Sequence, residues 1–147
     1  MAEYKEYTAE AEALFRDFAR RHSLTIEKAA PDNIELLMRV PRQRGLSFEL
    51  TLGLQNGDQL NIGVGEFWSH FFPFEKVRPL VSSVLDGLVT GDCRLVTHTR
   101  RGRVIKRVLE QRAHGTWRAI YTAYAAIDLP FMPRTSTCLY NEDAGGR

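Results

Sequence analysis

Cysteine is nearly absent from this 147-residue chain, which holds only Cys93 and Cys138. The two lie far apart and in no zinc-like spacing with each other or with a histidine. That argues against a structural metal and leaves free thiols in a reducing cytoplasm as the expectation. No segment approaches the roughly 18 consecutive apolar residues of a membrane span. Met1-Ala2-Glu3-Tyr4-Lys5-Glu6 has no basic stretch leading into an apolar core, so no signal peptide is expected.

Catalytic signatures are missing as well. Ser82-Ser83 stands outside any Gly-x-Ser-x-Gly elbow. Gly63 and Gly65 match neither a dinucleotide fingerprint nor a P-loop, because no helix opens after them at the needed distance. His22, His70, His98 and His114 are scattered, with no pair at helical metal-binding spacing. The sequence therefore assigns no catalytic residue, no metal and no cofactor. It contains no internal repeat and no domain linker.

Hydrophobic residues make up 44% and charged residues 26% of the chain, the balance of an ordinary globular protein. Its length suffices to bury a core without disulfide or metal support. The net charge of +2 conceals an asymmetry. Residues 1–75 carry 8 basic and 12 acidic side chains, and residues 76–147 carry 12 basic and 6 acidic ones. A charge-polarised surface is the expected consequence.

The clearest pattern lies in Leu46–Phe72. Leu46, Phe48, Leu50, Leu52 and Leu54 alternate with more polar residues, and Leu60, Ile62 and Val64 alternate again after Asn56-Gly57-Asp58. A period of two marks half-buried strands. A three-residue loop, Asn56 to Asp58, pairs Leu52 with Ile62 and puts both apolar sets on one face, whereas a one-residue slip would expose half of them. Gly63 and Gly65 predict a bulge or a close approach by another element.

Helical stripes flank this hairpin. Tyr4, Tyr7, Ala11, Leu14, Phe15 and Phe18 predict a helix from Glu3 to Arg21, with acids early and arginines late to suit the helix dipole. Val77, Leu80, Val81, Val84, Leu85, Leu88 and Val89 predict a second over Val77–Val89, with Pro79 in its first turn and Gly91 just past its end. Short strands are expected at Leu24–Lys28 and Ile34–Val40, and three more at Cys93–Thr99, Arg103–Arg112 and Thr116–Ala125. Residues 1–127 form one α+β domain on this reading. It has an antiparallel sheet of five to six strands, with two main helices packed on one face, in the order α-β-β-β-β-α-β-β-β. Residues 128–147 read as an extended tail, with order expected at most at Leu129-Pro130-Phe131-Met132 and fraying from Asn141 through Gly146.

Two groups of residues are candidates for function. Glu66, Trp68 and His70 would share one face of a regular strand, but Glu66 and His70 would then lie about 13 Å apart, too far for an acid–base pair. A structural role is the favoured reading of His70. The second group is a basic ribbon, Arg94 to Arg118, with eight cationic side chains against Glu110 alone. Arg100, Arg101, Arg103 and Arg107 sit at or near its tip, where they can contact phosphates, steer an acidic partner or guard a sheet edge. Nucleic acid is the disfavoured partner at so low a net charge.

Gly65-Glu66-Phe67-Trp68-Ser69-His70-Phe71, which closes a strand, and Thr90-Gly91-Asp92-Cys93-Arg94-Leu95-Val96, which follows the second helix, carry a loose resemblance. Mainly over residues 58–110 the chain resembles small bacterial α+β proteins of unassigned role, some of them immunity proteins of polymorphic-toxin systems. Its element order is also similar to that of type III secretion chaperones, which tend to be acidic where this chain is slightly basic. Either resemblance implies a protein that binds another protein, and neither transfers a catalytic residue. The expectation is a non-catalytic protein-binding module with a protein partner and no membrane partner, a homodimer being left open. The alternatives are a small enzyme or ligand-binding domain at Glu66, Trp68 and His70, or nucleic-acid binding through residues 94–118.

Overall fold

The central hairpin pairs as its alternation demands. In the computed structural model, which describes residues 6–144, β3 (Leu50–Gln55) and β4 (Gln59–Val64) are antiparallel. Leu52 lies opposite Ile62 and Leu54 opposite Leu60. Asn56 and Gly57 take left-handed conformations in the connecting loop. β2 (Leu36–Val40) pairs with the other side of β3, β1 (Glu27–Lys28) borders β2, and β5 (Phe67–Trp68) borders β4. Alternate residues Leu36, Met38, Leu52, Leu54, Leu60 and Ile62 are buried and form the floor of the core.

Two helices cover that floor. α1 (Thr8–Arg21) buries Ala11, Phe15, Phe18 and Ala19 against β2 and β3. It ends in a Schellman turn: Leu24 N–H bonds the Ala19 carbonyl at 2.8 Å, Ser23 N–H bonds that of Arg20 at 3.2 Å, and Ser23 takes φ 55°. The expected residues Glu3–Lys5 lie outside the described segment, and Glu6 and Tyr7 precede the helix. α2 (Phe74–Thr90) packs on β4 with Val81, Val84, Leu85 and Leu88 fully inside.

α2 corrects the sequence reading at two points. It begins three residues before Val77, so Pro79 lies inside the helix rather than in its first turn. Pro79 is exposed, so water can serve the carbonyl its missing N–H leaves free. Leu80, assigned to the apolar stripe, is 36% exposed. Gly91 ends the helix at φ 93°, as expected of it.

A second antiparallel sheet follows α2. It comprises β6 (Cys93–Arg100), β7 (Arg103–Ala113), β8 (Thr116–Tyr124) and β9 (Arg134–Leu139), in the spatial order β8-β7-β6-β9. The protein is thus α+β with antiparallel sheets of five and four strands, where sequence reading expected one sheet. The break has a local cause. β5 is only two residues long, and the chain leaves it for α2 at Phe74. Tyr121 of β8 then meets Phe67 and Phe71 through its ring, at centroid distances of 5.9 and 5.3 Å.

β3 starts at Leu50 rather than Leu46. Leu46 pairs instead with Gln43 in a tight turn, and the Ser47 N–H bonds Asn141 Oδ1 at 2.9 Å. The segment read as a fraying tail is therefore anchored in the fold. Residues 134–139 pair with β6 from Leu95–Leu139 to Arg100–Arg134, leaving only Cys93 and Arg94 of that strand uncovered on this side. Asn141 is buried, and its Nδ2 donates to the carbonyls of Gly45 at 2.8 Å and Val89 at 2.7 Å.

Candidate functional site

Glu66, Trp68 and His70 do not converge. Gly65, at φ 58°, turns the chain between β4 and β5 and leaves Glu66 exposed on the turn, where its carboxylate meets Arg107 Nη2 at 3.0 Å. Trp68 lies across Gly63, the close approach that the glycine predicted. A Cβ on Gly63 would stand 2.7 Å from the indole ring. His70 Nδ1 sits 3.3 Å from Asn61 Nδ2, which also donates to the Ser69 carbonyl at 2.9 Å. The Ser69 hydroxyl is occupied in accepting from Ile62 N–H and donating to the Ile62 carbonyl, both at 3.0 Å, so it is no nucleophile. What these residues build is a polar seam that ties β4 to the segment after β5.

Half of the basic ribbon's eight cations are neutralised by acids of the same chain. Arg94 bonds Glu110 at 2.8 Å and lies 4.0 Å above the Trp117 ring. Arg112 bonds Asp92 at 2.7 Å, and Arg107 holds Glu66. Arg100 is only 9% exposed and donates to Asp128 and to the Met132 carbonyl. Arg101 and Arg103 are exposed and have no acidic partner among the described residues. They flank Gly102 in a two-residue turn with φ values of 51° and 74° at Arg101 and Gly102. Asparagine fits such a turn with less strain than arginine.

Topology explains why Arg100 is buried. β8 and β9 lie on opposite edges of the second sheet, so residues 125–133 must cross the ends of β7 and β6 to connect them. This strap is pinned at both sides. The Ala125 and Ala126 N–H groups donate to the Ile105 carbonyl at 2.7 and 3.2 Å, and the Arg100 guanidinium holds Asp128 and Met132. The Arg100 bond keeps the Asp128 carboxyl below its ordinary range. A turn closed by Met132 N–H to the Leu129 carbonyl, at 3.0 Å, completes it.

The strap presents its apolar side chains outward. Ile127 is 82%, Phe131 80% and the adjoining Tyr124 75% exposed. Between strap and hairpin lies a hollow of about 200 Å³, lined by Arg101, Arg103, Ile105, Ile127, Leu129 and Met132 among others. That is below the several hundred Å³ of a typical metabolite pocket, and it suits one inserted side chain. Sequence reading had the arginines but not the strap. Its signal was Ile127-Asp128-Leu129-Pro130-Phe131-Met132-Pro133, an apolar-rich loop in which prolines forbid a regular element.

A larger groove of about 620 Å³ runs between α1 and α2 beside Arg16, Arg20, Arg21 and Arg78. Most of its charge is internally paired. Arg16 meets Glu12, Arg20 and Arg21 meet Asp17, and Arg21 and His22 both meet Asp86. Burial alone would raise the Asp86 pKa, but Arg21 and His22 outweigh it and lower it. Among the described residues no three His, Cys, Asp or Glu side chains cluster as metal ligands, and no helix is long and apolar enough to cross a membrane.

Fold and surface together define a two-sheet α+β domain with one apolar, arginine-flanked projection. No family model, curated protein or solved structure matches the chain.

Proposed function

We propose that this domain is a non-catalytic protein-binding module whose contact surface is the strap at 125–133 together with the Arg101-Gly102-Arg103 turn. One observation carries the reading. Large apolar side chains stand almost fully exposed on a strap that the Arg100 clamp holds in place, beside two cations with no acidic partner among the described residues. Exposed apolar residues on a fixed scaffold lose little conformational entropy on binding, and a hollow sized for one side chain accepts an anchor from the partner. The partner this chemistry selects is a protein with an apolar contact patch rimmed by acidic groups. Such a role is the one implied by the resemblance to immunity proteins and secretion chaperones.

Affinity capture from the native host tests it. The bait carries wild-type, Ile127→Ser/Phe131→Ser or Arg101→Ala/Arg103→Ala surfaces, and any partner retained is then purified and titrated. The apolar pair should abolish binding, and the arginine pair should slow association and flatten its salt dependence. A partner held equally by all three baits would overturn the proposal. So would micromolar, salt-sensitive binding of generic duplex DNA or RNA, which would return the ribbon to the nucleic-acid reading.

A further inference from the structure

We infer that the outer edge of β9 pairs antiparallel with β9 of a second copy of this chain, joining two four-stranded sheets into one. The inference rests on the edge, independently of the strap. Sheet edges are normally shortened, bulged or charged to prevent pairing. Three of the four edges here follow that rule. β1 and β5 are two residues long, and β8 carries a register shift against β7 at Leu109/Glu110. β9 does not. It runs six residues in unbroken register with β6, contains no proline or lysine, confines its charge to the end residue Arg134, and exposes every residue from Arg134 to Leu139. Among the described residues no strand pairs with its outward N–H and C=O groups.

A second β9 supplies it. Antiparallel self-pairing about a two-fold axis is self-complementary, and keeping each sheet face on its own side requires the axis to pass through a residue rather than between two. Centring on Thr137 engages the whole strand. Arg134 then lies opposite Tyr140 of the second copy, which is half-exposed, so each strand end gains a guanidinium-to-ring contact. Ser136 faces Cys138 across the axis, Thr135 faces the exposed Leu139, and Thr137 faces Thr137.

Sedimentation velocity on the full chain tests the inference. At about 100 µM, well above the dissociation constant of an interface with micromolar affinity, the mass should be twice 16.8 kDa. Thr137→Asp sets two carboxylates against each other on the axis and should give monomers, as should Thr137→Lys, while mixing the two variants should restore dimers. A wild-type mass of 16.8 kDa at that concentration, or an undiminished Thr137→Asp dimer, overturns the inference. If Thr137→Asp does not fold, Thr137→Cys in a Cys138→Ser background decides. Opposed Cα atoms about 4.5–5.5 Å apart lie within disulfide reach, so mild oxidation should give a covalent dimer. Its absence rejects the pairing.

Discussion

Replacing Asn141 by alanine should destabilise the whole domain, although it lies only six residues before Arg147. Its amide joins three segments. Nδ2 donates to the Gly45 and Val89 carbonyls, and Oδ1 accepts from the N–H groups of Ser47 and, at 3.2 Å, Asp143. Val89 belongs to the last turn of α2, where carbonyls lack helical partners, so Asn141 satisfies a helix end from a distance. Removing the amide strands two buried carbonyls and two half-buried N–H groups. At about 1 kcal/mol or more for each orphaned group, the loss is about 2–4 kcal/mol. For a chain of this size that lowers Tm by about 5–15 °C. Urea and thermal denaturation followed by far-ultraviolet circular dichroism measure it. Asn141→Asp separates the contributions. It keeps the acceptor but turns a carboxylate toward two carbonyl oxygens, so at neutral pH it should be at least as harmful as alanine. Acid should partly relieve it, because a protonated carboxyl can donate to one of them. An alanine variant within about 0.5 kcal/mol of wild type would show that the amide anchors nothing, and the C-terminal segment would then be a passive tail.

Gly87→Ala should destabilise despite a helix-propensity gain of about 1 kcal/mol, because the new Cβ would stand 2.5 Å from Cys93 Sγ in a closed core. Cys93→Ala should relieve much of that cost in a double-mutant cycle, and a stabilised single variant would disprove the contact. Arg100→Met should release the strap while the sheets stay folded, so limited proteolysis should cut within 125–133 many times faster than in wild type; unchanged cleavage would mean Arg100 is no clamp. Native protein should react with one equivalent of a thiol reagent, at exposed Cys138, and unfolded protein with two. Burial, and then the Asp92 charge, push the Cys93 thiol from its ordinary 9.0 up to about 12. A pKa raised by folding stabilises fully below the unfolded value and is lost as pH climbs toward the folded one. Stability should therefore decline between pH 9 and 12, less so in Cys93→Ala.

Local pattern determined much of this protein. The alternation in Leu46–Val64 dictated the Leu52–Ile62 register, since any odd slip would have turned leucines into water. The stripe in α2 placed Val81 and Leu85 in the core, and the glycines at 57, 91, 102 and 115 marked turns that do take left-handed φ. Those features depend on neighbours a few residues apart, and a sequence records such neighbours directly. Tertiary structure alone decided the rest. Whether strands after α2 extend the first sheet or begin another depends on contacts between residues 50 or more apart, here Tyr121 against Phe67. β9 was invisible because all six of its residues are exposed, so no apolar alternation marks it, and pairing with β6 alone makes it a strand. The basic ribbon reads as one uniform charge in sequence. Only folding brings Glu110, Asp128, Asp92 and Glu66 to four of its arginines and leaves Arg101 and Arg103 to face outward. Charge is a property of composition, but whether a charge is free depends on which distant side chain the fold sets beside it.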